Sequence, residues 1–120
     1  MAVRHITAPT PIPVPGGKLI EEHVGHVNTG TASLSVAHMV APPLWSEPYQ
    51  TPQFDEVTIV LRGTMRVEHE GGVVDVGPGE TVLVEAGERI RYSNPADVEC
   101  EYWAVCTPAF HPDTVHREEE

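Results

Sequence analysis

Glu56 heads the run Glu-Val-Thr-Ile-Val-Leu-Arg, residues 56–62, which is rich in β-branched side chains and reads as the best strand in the chain. Alternation puts Glu56, Thr58, Val60 and Arg62 on one face and Val57, Ile59 and Leu61 on the other. Tyr49 and two amides, Gln50 and Gln53, come just before it. An amide there binds a ligand's polar group, serves as a weak metal ligand, or faces solvent from a loop. Farther on, Ile90 and Tyr92 share a face of one extended segment. The Tyr92 phenol can orient a substrate or donate a proton, and can equally be a core tyrosine with a satisfied hydroxyl. His38 lies in a strand-like run, residues 34–40, and either pairs with Glu56 or is a structural strand histidine.

The other histidines assemble no metal pair. His23 and His26 are three apart and point to opposite faces of a regular strand. His69 stands beside a Gly-Gly turn, and His111 and His116 belong to the tail. There is no Cys-x-x-Cys; Cys100 and Cys106 lie in one strand, six residues apart. Their Cα atoms would be roughly 20 Å apart, too far for a disulfide. Two unpaired thiols fit a reducing compartment. Tyr102 and Trp103 must face opposite ways, one toward the core and the other toward a subunit contact. Arg62, Arg66, Arg89 and Arg91 read as solvated strand ends.

With 18 acidic and 7 basic residues, the net charge is -11. Such a field repels nucleic acid and anionic membranes. No stretch is apolar over the ~18 to 20 residues that span a bilayer. Met1 to Val14 lacks the apolar run of a secretory signal. The expectation is a cytoplasmic protein of 120 residues with one core.

The elements that must position these residues are short strands. Leu19 to Val24, Leu34 to Val40, Glu56 to Arg62, Thr64 to Glu70, Val73 to Val76, Thr81 to Glu85, Ile90 to Ser93 and Glu99 to Cys106 are separated by Gly, Pro or Asn-Pro breaks. No helical periodicity competes with them, so the fold class is all-β, a sandwich or barrel. Residues 1–17 hold Pro9, Pro11, Pro13 and Pro15 and read as an extended arm, either a flexible leader or an arm across a partner subunit. Residues 18–110 form the barrel. Residues 111–120, ending in Glu118, Glu119 and Glu120, read as a solvated, frayed tail.

The spacing Glu56, six residues, Gly63 resembles the end of the first cupin motif: Gly, five residues, His-x-His, three or four residues, Glu, six residues, Gly. Gly79, five residues, Glu85-Ala86-Gly87, two residues, Ile90, three residues, Asn94 resembles the second: Gly, five residues, Pro-x-Gly, two residues, His, three residues, Asn. The resemblance implies a single-domain cupin, a double-stranded β-helix or jelly-roll barrel. Where that family holds its metal, Ile90 replaces one histidine, and Tyr49-Gln50-Thr51-Pro52 or an adjacent register replaces His-x-His, so only Glu56 remains. Among cupins the chain is similar to the ethanolamine-utilisation protein Q group, through Phe54 to Val57, Val60 to Gly63 and the apolar Ile90. That group has been linked to acetate-kinase-type activity, but the chain has no phosphate loop of the Gly-x4-Gly-Lys-Ser/Thr kind.

The resemblance implies that Glu56 faces the barrel interior, where no metal neutralises it and its pKa should rise. Glu56 is then a general acid or base, with Tyr92 beside it and Gln50, Gln53, Thr58, His38 and Ile90 around a small-molecule substrate. No cofactor is expected. The resemblance also implies a homodimer. Two other readings stay open: a binding or accessory module, and a cupin with a non-standard metal held by Glu56, Gln50 or Gln53, and His38.

Overall fold

In the computed structural model, residues 2–119 are described; Met1 and Glu120, the outermost residues of arm and tail, lie outside them. The expected strands form close to the expected places. They are β1 (Thr10–Pro11), β2 (Leu19–Val24), β3 (Ser35–Ala41), β4 (Asp55–Arg62) and β5 (Met65–His69). After them come β6 (Gly72–Val76), β7 (Thr81–Val84), β8 (Arg91–Ser93) and β9 (Cys100–Thr107). Six pair antiparallel in the order β1-β2-β3-β9-β4-β7, and three in the order β6-β5-β8. This is a jelly-roll built from two antiparallel sheets.

Strand alternation decides which side chains turn inward. On β9, Cys100, Tyr102, Ala104 and Cys106 are buried, while Glu101, Trp103 and Val105 are half-buried on the opposite face. The core between the sheets gathers Val60, Met65, Val67, Val76, Ile90 and Tyr102. A second cluster of Phe54, Cys106 and Val115, with Phe110 against it, seals one end. Burial of such side chains contributes roughly 1.5–3 kcal/mol each.

The glycine that ends β4 has a specific reason to be there. Gly63 has φ +80°, and a Cβ would meet the Glu99 carbonyl and lie 2.8 Å from Cys100 Cα. Asn94 is an internal clamp, 2% exposed. Its amide donates to the Pro42 carbonyl at 3.0 Å and the Val98 carbonyl at 2.7 Å, and its oxygen accepts from Ala96 N at 3.1 Å. The loop after β3 is thereby tied to the start of β9.

The two ends of the chain differ from expectation. The proline arm lies along its own barrel: Thr10 and Pro11 pair with Glu22 and Glu21, and Ile12 N donates to the Ile20 carbonyl at 2.9 Å. Prolines on an edge strand remove donors that the edge does not need. The tail is not frayed. It forms α1 (Pro112–Val115), capped by His111, which accepts from Asp113 N, and then bridges Gln50 through Arg117. Glu118 N donates to the Tyr49 carbonyl at 2.8 Å, and the Glu118 carboxylate pairs with Arg89 at 2.7 Å. Arg89 is therefore a paired group whose guanidinium lies 4.0 Å from the Tyr49 ring centroid.

Candidate functional site

The jelly-roll encloses a cavity of about 610 Å³, within the range of small-molecule sites. Glu56 and Thr58 enter it from β4, Tyr92 from β8, and Tyr102, Ala104 and Cys106 from β9. Ser35, Ala37 and Met39 of β3 and Ile20 of β2 form the adjoining wall. The arm adds Ile12, Val14 and Gly16, the loop after β3 adds Trp45, Glu47 and Gln50, and the tail adds Arg117.

Glu56 sits deep in the molecule and keeps its residual accessibility to the cavity. Burial, then the nearby charge of Glu47, lifts its pKa from 4.5 to about 7, against the opposing pull of Lys18, Tyr92 and Arg117. Tyr92 is 5% exposed, and its hydroxyl approaches Glu56 without completing a hydrogen bond. Burial and the Glu56 charge push the Tyr92 pKa well above its ordinary value. A buried hydroxyl left without a partner is costly, and this one belongs to a residue of the cavity wall.

Four charged groups of the cavity lining were not singled out from the sequence: Lys18, Glu22, Glu47 and Arg117. Arg117 lies 3.6 Å from the Glu47 carboxylate and 3.2 Å from Gln50 Oε1. Lys18 Nζ stands 4.4 Å from the Trp45 ring centroid and 5.3 Å from that of Tyr102. Burial lowers its pKa, more than Glu47 and Glu56 raise it. One signal was available: Lys18 is the only lysine in the chain.

The structure brings Glu56, Thr58, Tyr92 and Gln50 together on the cavity wall. It places three other expected residues elsewhere. His38 is on the outer face of β3, because Ala37 and Met39 take the inward positions. There it bonds Glu21 at 3.0 Å and Glu101 at 2.7 Å and lies against Trp103. Gln53 is exposed and accepts from His116 Nε2 at 2.6 Å. Ile90, 1% exposed, belongs to the core between the sheets and does not line the cavity.

This donor set does not fit the metal that the fold's resemblance brings to mind. Among the described residues, no three His, Cys, Asp or Glu side chains are grouped to hold one. The second carboxylate near Glu56, that of Glu47, already faces the Arg117 guanidinium at 3.6 Å. No helix among the described residues is long and apolar enough to cross a membrane.

A family model for the cupin domain matches residues 37–106. Among curated proteins, one from Myxococcus xanthus (strain DK1622) named endoribonuclease YbeY is 50% identical over 107 residues. The match covers 89% of this chain and 36% of that protein, so the chain spans about a third of that relative's length. Among solved structures, the polyketide cyclase RemF of Streptomyces resistomycificus superposes with a TM-score of 0.74 at 19% identity, over 100% of this chain and 87% of that one. An ethanolamine utilization protein q of Salmonella typhimurium LT2 gives 0.61 at 22% identity, over 78% and 71%. At such identities the likeness to both concerns the fold. The sheets, the motif spacings and the family match agree: this chain belongs to the cupin family.

Proposed function

We propose that this cupin binds a small metabolite in its barrel and moves a proton on it with Glu56, in a reaction of isomerase or lyase type. The observation that carries this reading is the position of the Glu56 carboxyl group on the cavity wall, where burial and the charge of Glu47 push its pKa up to about 7. Such a group is available as acid and as base near neutral pH. Tyr92, with its unpartnered hydroxyl, is the second group placed to touch a substrate, and Gln50 and Thr58 are placed to orient it. The test is a thermal-shift screen of metabolites followed by turnover assays on the hits. Glu56→Gln should abolish turnover while the variant stays folded; turnover that survives it would overturn the assignment.

The match to part of a longer protein favours a second reading, an accessory module that holds a metabolite without transforming it. A net charge of -11 speaks against direct contact with RNA by this chain. Hits that bind tightly and are recovered unchanged would favour this reading.

We also propose that the barrel works without metal, since no three His, Cys, Asp or Glu side chains are grouped to hold one among the described residues. Elemental analysis of untagged protein should find far less than one metal per chain, unchanged by added divalent ions. The homodimer is proposed on the outer face of the larger sheet. There Val57 pairs with Leu83 and Val105, and Ile59 pairs with Trp103, forming a contiguous apolar patch. Leu83 is 58% exposed within it. Light scattering should give a dimer mass that Leu83→Lys reduces to that of one chain.

A further inference from the structure

Lys18 takes no part in any side-chain salt bridge or hydrogen bond among the described residues, although it is half-buried and turned into the cavity, against Trp45 and Tyr102. A buried lysine normally has a contacting carboxylate. Here the neighbouring anions are engaged or held back. Glu47 faces Arg117, and Glu56 is itself shifted toward its neutral form. The amine looks into a cavity whose other walls are largely apolar, including Ile12, Ile20, Met39 and Phe54. A lysine desolvated in such a pocket gives up its proton more readily and becomes a nucleophile.

We propose that Lys18 is a nucleophilic amine that condenses with the carbonyl group of a small aldehyde or ketone in the cavity, with Glu56 shuttling the protons. This rests on the same reading of the cavity and names its substrate class. The Nζ lone pair forms a bond to the carbonyl carbon, and the carbonyl π electrons move to oxygen. The Nζ proton passes to that oxygen through Glu56, giving a carbinolamine. Protonated Glu56 then donates to the hydroxyl, the C–O bond breaks, water leaves, and the nitrogen lone pair closes the C=N bond. The product is a protonated imine beside the Glu56 carboxylate. The imine nitrogen draws electrons from the adjacent carbon, so the same carboxylate can then take a proton from it. Addition of water reverses the sequence and frees the amine.

The chain's single lysine makes the experiment clean, because Lys18 and the α-amino group are its only primary amines. Intact protein at pH 7 is treated with cyanoborohydride and either benzaldehyde or the smaller acetaldehyde, with Nα-acetyl-lysine in the same solution. Peptide mapping then follows alkylation at each amine. An exposed lysine is almost wholly protonated at this pH, so Lys18, whose pKa burial lowers, should be alkylated measurably faster than Nα-acetyl-lysine. Glu56→Gln should slow it by about tenfold or more. Lys18→Arg should carry no internal adduct. Labelling of Lys18 no faster than the free amino acid, with both aldehydes, would overturn the imine. If turnover of a screened metabolite still depended on Glu56, the proton-transfer reading would stand alone. Rapid labelling that ignored Glu56→Gln would instead remove Glu56 from the step.

Discussion

Replacing Glu56 with glutamine should stabilise the protein, and only at higher pH. Glutamine keeps the shape and removes the ionisation. A carboxyl group binds its proton more tightly when folded, so between pH 4.5 and about 7 the folded state holds more protons than the unfolded. Stability attributable to Glu56 therefore falls as pH rises through this window. The rise from 4.5 to about 7, at about 1.36 kcal/mol per pH unit, sets a ceiling of about 3 kcal/mol. The cavity gives Glu56 some solvent, which reduces the expectation to about 2 kcal/mol. Urea denaturation of wild type and Glu56→Gln at pH 4.5 and pH 8 measures it. The variant's advantage should be about 2 kcal/mol larger at pH 8 than at pH 4.5. An equal difference at both pH values would refute the reasoning, because it would mean that Glu56 ionises as readily folded as unfolded.

Asn94→Ala should destabilise by about 1–3 kcal/mol in the same assay, since it removes the amide donor to the part-buried Val98 carbonyl and leaves the Pro42 carbonyl with Trp45 N alone. His38 should contribute in the same pH sense as Glu56, because it too binds its proton more tightly in the folded state. Burial pulls its pKa down, but the hydrogen bonds and charges of Glu101 and Glu21 prevail and hold it above 6.5. Its contribution is therefore full below about pH 6.5 and is lost as pH rises through the folded value. Wild type should exceed His38→Gln by about 0.5–1 kcal/mol at pH 5.5 and by less at pH 9, measured by urea titration.

The strands were legible because period-two patterning and turn residues act locally. The runs ending at Gly63 and Gly87 mark their own boundaries, and Glu56 to Arg62 reads as strand from composition alone. The placement of Tyr92 and Thr58 follows from parity once a neighbour's direction is known. His38 misled because parity gives two faces without saying which is inner; Ala37 and Met39 decided that, through their fit to the barrel. Ile90 followed its family position and packs in the core. Lys18, Glu47 and Arg117 were hidden for another reason. They lie in different segments and meet only through the arm folding back on β2 and the tail bridging to Gln50. No local pattern encodes such a meeting.

That arrangement has a kinetic consequence. The cavity wall includes the arm and Arg117, while β1 contributes only two ladder residues and the tail, a helix of 4 residues and the strap after it, is tied down at Tyr49, Gln50 and Arg89. Short outlying elements detach at much lower cost than a sheet dissolves. For the metabolite proposed above, detachment of these extremities would open a way out of the cavity while the sheets stay intact. A peptide fused at either end adds mass to a moving part, so a purification handle on this protein belongs in the β5–β6 hairpin rather than at its extremities.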